Sequence, residues 1–427
     1  MSSEGPSPPS PSAPPLAAGS VTIRKTGTAP TGYEVDFKYT NASANRILIG
    51  GGLQPFTDQF HTTLRSSALY DPKDYKAGDF YVRVGRVDFH HPLPSGVYSF
   101  AYLVDCDFAP RCSIDTGKLF VDPDLPPFRN TEEDQVASTF QVPFDPAFQL
   151  STGATPADFD YGLSAPEGER GTIKTVNYTS PGSIHPAPDV HDFSIYLPAE
   201  YGTVPGKKYP LLYMSHGAGG NGADWENLGR ASAILDNLIR EGHIEPTVAV
   251  MPSFYNLDDS LPKFVYGDAT NRAPPPTAQH VRENYVKYLF PWVESHYDVC
   301  DKPSCRAFSG LSLGGRLTYE MYVNATDMFD YYGFFSPAAS APFVDAAAVA
   351  ANPGLAQKGL YVGYGLYDSV FDLARGLQNA FDGLDFEYIS RVAPYGSHYW
   401  PTWQDNFWWF GVTALWKPIP FTQETGR

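Results

Sequence analysis

The sequence predicts an α/β fold built on a mostly parallel, doubly wound sheet and preceded by a small all-β sandwich. Three observations carry that expectation. From residue 171 onward, short apolar runs alternate with amphipathic stretches, the pattern of buried parallel strands joined by helical crossovers. Between residues 19 and 125 the runs alternate apolar with polar and are broken by turn residues, as in a small antiparallel sandwich. A short apolar strand at 307–309 also breaks through Gly310-Leu311-Ser312-Leu313-Gly314 directly into a helical pattern.

In chain order, residues 1–18 are rich in Pro and Ser with nothing to bury, and read as a disordered tail. Residues 19–125 form the sandwich module, whose adjacent His90 and His91 would face opposite sides of a strand and so share no metal. Residues 126–170 read as an ordered linker: Phe140, Val142, Phe144, Phe148 and Tyr161 are too many apolar groups for a free one. Residues 171–427 make the α/β domain. Its strands are expected at 172–178, 191–197, 211–214, 247–251, 307–309, 331–335, 360–364 and 386–392, and its helices at 229–241, 278–297, 313–323, 369–381 and 403–416. At 427 residues the chain exceeds what one core usually fills, which agrees with two domains.

Composition narrows the classes of partner. A net charge of −17 leaves no basic stripe for nucleic acid. No apolar run approaches the roughly 20 residues that span a bilayer, and Met1 is followed by a polar, Pro-rich segment, so any leader is absent from this sequence. The four cysteines fall into two close pairs, Cys106/Cys112 and Cys300/Cys305, without zinc or redox spacing, and read as two small-loop disulfides. With sequons at Asn41, Asn177 and Asn324, they favour a secreted protein. Oligomeric state is not legible.

The chemistry gathers around Ser312. Gly310 and Gly314 lack the Cβ atoms that would collide where a strand reverses into a helix, which lets the serine sit on a strained elbow with its hydroxyl exposed. The helix behind it aims free amides at the same spot. A serine hydroxyl needs a base, and the base needs an orienting carboxylate, in the order Ser, Asp or Glu, His. His398 is the only histidine after Ser312. Among seven aspartates in the interval, Asp368 leaves the C-terminal end of the penultimate buried strand, with Asp372, inside the following helix, as runner-up. For the developing oxyanion, the Leu313 amide and an amide of the Gly-rich loop 215–225, with Ala218 as donor, are expected. That loop lacks the Gly-Lys-Ser/Thr ending of a phosphate site. No metal or organic cofactor is called for.

The set His-Gly-Ala-Gly-Gly at 216–220 with Trp225, Gly-Leu-Ser-Leu-Gly-Gly at 310–315, Gly-Leu-Tyr-Asp at 365–368 and Gly-Ser-His-Tyr-Trp at 396–400 resembles the feruloyl esterases of the esterase D-like, carbohydrate esterase family 1 group. The resemblance covers about 171–416. It implies the α/β-hydrolase fold, Ser312, Asp368 and His398 as the triad, and Ala218 and Leu313 as the oxyanion hole. Pro94-Ser95-Gly96-Val97-Tyr98 and the strand ending at Val121-Asp122-Pro123 similarly resemble immunoglobulin-like modules of the CBM48 type, which bind glucans or pack on the enzyme. All seven Trp lie beyond residue 224, which favours packing. The segment 253–276 departs from the shorter loops of the family.

Trp225, Tyr255, Tyr367, Tyr399 and Trp400 adjoin the expected site loops, where flat rings suit a cinnamoyl group or a sugar. The expected substrate is therefore a feruloylated oligo- or polysaccharide, or another small ester. The alternatives are an acetyl-xylan or general carboxylesterase with the same triad, and a non-catalytic carbohydrate-binding protein on a hydrolase scaffold.

Overall fold

A computed structural model describes residues 18–28, 32–41, 43–44, 47–51, 86–91, 96–105, 119–120, 122–125, 127–129, 136–143, 147, 160–266, 273–365, 368–393 and 398–421. Residues 1–17 of the expected tail and the pair Cys106/Cys112 lie outside these residues, whereas Ala18, expected as the end of that tail, opens the first strand.

Among the described residues, the N-terminal part holds eight strands: β1 (Ala18–Lys25), β2 (Tyr33–Thr40), β3 (Ile47–Gly51), β4 (Arg86–His91), β5 (Gly96–Val104), β6 (Leu119–Phe120), β7 (Pro127–Arg129) and β8 (Val136–Val142). One antiparallel sheet runs β1-β2-β4 and a second runs β3-β5-β8-β7, with β6 on β5. Strict alternation in β2 turns Val35, Phe37 and Tyr39 inward. They meet the other sheet through edge-on rings, Phe37 with Phe100 at 5.2 Å and with Phe140 at 5.6 Å, and through a stacked pair, Tyr39 on Tyr102 at 4.7 Å. The result is a sandwich with an aromatic core. The sandwich also extends further along the chain than the sequence suggests. β8 lies inside the stretch read as linker, yet it pairs with β5 and buries Ser138, Phe140 and Val142. Its period of two is masked by the Pro- and Asp-rich sequence on either side.

The α/β part is an eight-stranded sheet: β9 (Thr172–Thr179), β10 (Val190–Leu197), β11 (Leu211–Ser215), β12 (Val248–Pro252), β13 (Arg306–Leu311), β14 (Tyr331–Phe335), β15 (Gly359–Gly365) and β16 (Tyr388–Ala393). The order is β16-β15-β14-β13-β11-β12-β10-β9. β9, β10 and β12 pair antiparallel in turn, and every other neighbour is parallel. β11 through β15 are buried at every residue and show no alternation, because helices cover both faces. The helices are α1 (Asp224–Asn227), α2 (Ala231–Arg240), α3 (Ala278–Asn284), α4 (Phe290–His296), α5 (Leu313–Asn324), α6 (Ala346–Ala351), α7 (Phe371–Asp382) and α8 (Trp400–Thr413). One core face packs residues of α3, α4, α5 and α7, and the other packs α1, α2 and α8. Between α3 and α4 the helix widens into a π turn, Tyr285–Leu289, where the Phe290 amide reaches back to Tyr285 O. Pro291 follows and has no amide to give, which favours the altered ladder.

The outermost strand is locked to the last helix by a buried ion pair. Arg391 on β16 donates to both oxygens of Asp405 on α8, at 2.7 and 2.9 Å, and its guanidinium lies 4.7 Å over the Trp409 ring. Burial pushes the arginine down, but Asp405 outweighs it and holds the guanidinium above its ordinary value. Arg391→Leu is expected to leave the Asp405 carboxylate buried and unpaired, costing about 3–5 kcal/mol. That should appear in a thermal scan as a melting point lower by roughly 10 °C, largely restored when Asp405→Leu is added.

Cys300 and Cys305 are joined in a disulfide just ahead of β13. Among the described residues, no helix is long and apolar enough to cross a membrane.

Candidate active site

Since β11, β13, β14, β15 and β16 run parallel, their C-terminal ends share one edge of the sheet, and the loops leaving that edge build the site. At the end of β13 the backbone turns through Ser312 with φ +54° and ψ −116°, a left-handed conformation that a side-chain-bearing residue rarely adopts. The turn is held on both sides: the Ser312 amide donates to Phe335 O at 3.0 Å, and the Ser312 carbonyl accepts from Ala338 N at 3.0 Å and Arg316 N at 3.1 Å. The flanking glycines are sterically required. A Cβ on Gly310 would overlap the Gly314 backbone, and one on Gly314 would overlap the carbonyls of Ser215 and His216.

His398 enters from the loop after β16. Its Nε2 lies 2.9 Å from Ser312 Oγ and its Nδ1 2.8 Å from Asp368 Oδ1. The Asp368 side chain is fully buried, and Oδ1 also accepts from Val370 N at 2.9 Å. Burial pushes this carboxyl up, but the His398 charge and hydrogen bonds from His398, Ser336 and Val370 outweigh it and hold the group below the ordinary carboxylate value. An ionised Asp368 accepts and cannot donate, so Nδ1 carries the imidazole proton and Nε2 is left to take one from the serine. The His398 ring stands edge-on to Trp403 at 5.1 Å and 90°. The sequence-predicted hydroxyl, imidazole and carboxylate thus converge.

Opposite Ser312 runs the loop after β11. A Cβ on Gly217 would meet Leu311 Cδ1 at 2.7 Å and Ser312 Cβ at 3.2 Å, so the backbone passes beside the serine at a distance only glycine permits. His216 is buried under this loop, and burial lowers its pKa to about 3. The ring is therefore neutral, with Nδ1–H donating to Gly217 O at 2.8 Å and Nε2 accepting from Phe254 N at 3.3 Å. In a trans peptide the carbonyl of Gly217 and the amide of Ala218 point in opposite directions. Holding the carbonyl on His216 turns the Ala218 amide to the other side. Ala218 is exposed, and neither its amide nor that of Leu313 donates to a partner among the described residues.

The aromatic residues divide. Trp225, expected to line the site, does not: it is fully buried, ringed edge-on by Phe335, Phe407 and Trp400, with its indole N–H on Ser215 O at 3.0 Å. Its bulk fills the core beneath the loop that it begins to leave. Tyr255 is also buried, with its hydroxyl accepting from Gly219 N at 3.1 Å. Tyr399 is buried beside His398, and Trp400 is partly exposed at the start of α8. Tyr367 lies outside the described residues. Ser336 is a site residue that sequence reasoning misses: it follows β14, takes the Trp403 indole N–H at 2.9 Å and bonds Asp368. A polar residue just past the C-terminal end of a buried parallel strand is the available signal.

A family model described as "Putative esterase" matches residues 189–416, just over half of the chain. The chain belongs to this esterase family. Over 146 residues this esterase-family chain is 34% identical to an endo-1,4-beta-xylanase/feruloyl esterase of Xylanibacter ruminicola, a match covering 34% of the chain and 19% of that protein. It thus spans about a fifth of that curated relative's length. Among solved structures, the enterobactin esterase of Shigella flexneri in the presence of enterobactin aligns at a TM-score of 0.57 and 14% identity, over 93% of this chain and 96% of that one. A CE1 ferulic acid esterase from Anaeromyces mucronatus aligns at 0.50 and 21% identity, over 62% and 98%. At these identities the structures show the α/β-hydrolase fold that the esterase-family chain adopts.

Proposed function

We propose that this protein is a serine carboxylic-ester hydrolase that releases ferulate or related hydroxycinnamates from plant cell-wall polysaccharide. The observation that carries the reading is one imidazole spanning the Ser312 hydroxyl and the buried Asp368 carboxylate at 2.9 and 2.8 Å. In that reading His398 takes the Ser312 proton as Oγ attacks the ester carbonyl, while the amides of Ala218 and Leu313 donate to the oxygen as it becomes anionic. His398 then gives the proton to the departing alcohol. Water, deprotonated by the same imidazole, splits the acyl-enzyme into free acid and Ser312. Every bond made and broken is accounted for by ester plus water.

The acyl group is supported by the Xylanibacter ruminicola relative, whose name pairs xylanase with feruloyl esterase, and by partly exposed Trp400 two residues after His398. The Cys300–Cys305 disulfide supports an oxidising, extracellular setting. The absence of Trp before residue 225 supports a packing role for the N-terminal sandwich. The deciding measurement compares methyl ferulate with 4-nitrophenyl acetate. Release of ferulate is expected; rapid acetate turnover with no ferulate released would move the assignment to an acetyl esterase.

A further inference from the structure

The segment 253–266 adjoins the site and touches the oxyanion loop repeatedly. Phe254 stacks on His216 at 4.0 Å and gives its amide to Nε2 at 3.3 Å. Tyr255 accepts from the Gly219 amide at 3.1 Å, and its ring stacks on Phe264 at 3.9 Å. Phe264 is fixed in turn by Asn256, whose side chain accepts from the Phe264 amide at 2.7 Å and donates to its carbonyl at 3.0 Å. Farther along, the Tyr266 hydroxyl donates to Asp224 Oδ1 at 2.8 Å, while Asp224 Oδ2 takes the Asn221 amide at 3.3 Å.

The crest of the loop has little else to hold it. Ala218 and Gly219 are both exposed, Gly219 sits at φ +73°, and no heavy atom lies within 4 Å of where its Cβ would be. Packing therefore does not fix the crest. Beyond the turn closed beneath it by the Gly220 amide on Gly217 O at 3.3 Å, its tether is the hydrogen bond from the Gly219 amide to the Tyr255 hydroxyl, one residue after the Ala218 amide.

We propose that residues 253–266 are the brace of the oxyanion loop, and that Tyr255 is a positioning residue that aims the Ala218 amide through Gly219 and does not contact the acyl group. This rests on the esterase reading above. A preorganised donor acts on the charge that develops in the transition state and hardly at all on bound substrate. Loosening it should lower kcat and spare KM.

Tyr255→Phe removes the acceptor and keeps the ring on Phe264. With both methyl ferulate and 4-nitrophenyl acetate, kcat is expected to fall about ten-fold, less than the roughly hundred- to thousand-fold of deleting a donor outright. KM should stay within about two-fold. A trifluoromethyl ketone, whose adduct with Ser312 carries the oxyanion, should bind about ten-fold more weakly, while inhibition by free ferulate is unchanged. Tyr266→Phe, which cuts the second tether, should shift kcat in the same direction by less. A raised KM at unchanged kcat in Tyr255→Phe would overturn the brace and make Tyr255 a substrate contact; unchanged kcat and KM in both variants would also overturn it. The esterase reading fails separately, if the wild-type protein takes up no fluorophosphonate at Ser312.

Discussion

Ser312→Ala is expected to lower kcat for methyl ferulate by about six orders of magnitude, the scale seen when the nucleophile of such a set is removed. The fold should survive, because the position needs its backbone bonds to Phe335, Ala338 and Arg316 more than its hydroxyl. Ferulate ester should still bind, since the acyl-binding surface is untouched. Equilibrium binding by fluorescence and turnover by chromatography separate the two. Retention of turnover within about ten-fold of wild type would place the nucleophile elsewhere.

Asp368→Asn is expected to cost about 10⁴ in kcat with little change in KM. The cause lies in the imidazole tautomer. The introduced asparagine would present either an amide N–H or a carbonyl to Nδ1, and the N–H orientation forces the imidazole proton onto Nε2, where it faces Ser312 with nothing to accept. The variant also alters the pH dependence of stability. In the wild type the folded-state pKa of Asp368 is lowered, so its contribution is present above the ordinary value of 3.8 and is lost as pH falls through the lower folded value. Asparagine has no such dependence. Urea midpoints of the two proteins should therefore converge on acidification below about pH 4. Parallel curves across that range would mean that Asp368 is not the ionised partner of His398.

Much of this site is legible in one dimension because its chemistry imposes local grammar. Gly310 and Gly314 announce the elbow, the chain order of serine, acid and base follows from the strand order, and His398 has no competitor downstream. What escapes is whatever depends on side chains meeting across the fold. Trp225 reads as a site aromatic because it adjoins a site loop, yet α1 turns it under the loop into the core. Ser336 lies 32 residues before Asp368 and 67 before Trp403, and it takes the pairing of β14 with β15 and the docking of α8 on both to bring the three together. The Arg391–Asp405 pair is equally silent, since nothing in a strand or a helix taken alone says that one buried charge will find the other. β8 escapes for a simpler reason: seven alternating residues between two breaker-rich flanks resemble a linker until a partner strand is placed beside them.

The composition of α8 bears on how activity first arises. Trp403, Phe407, Trp408, Trp409 and Phe410 are all buried, and so are the polar groups between them, which leaves the helix no side suited to water. Such a segment gains its shape only by docking. During synthesis it emerges after the rest of the sheet, and the imidazole just ahead of it can be set in place only then. A growing polypeptide would stay chemically silent on the ribosome until α8 had settled against the sheet.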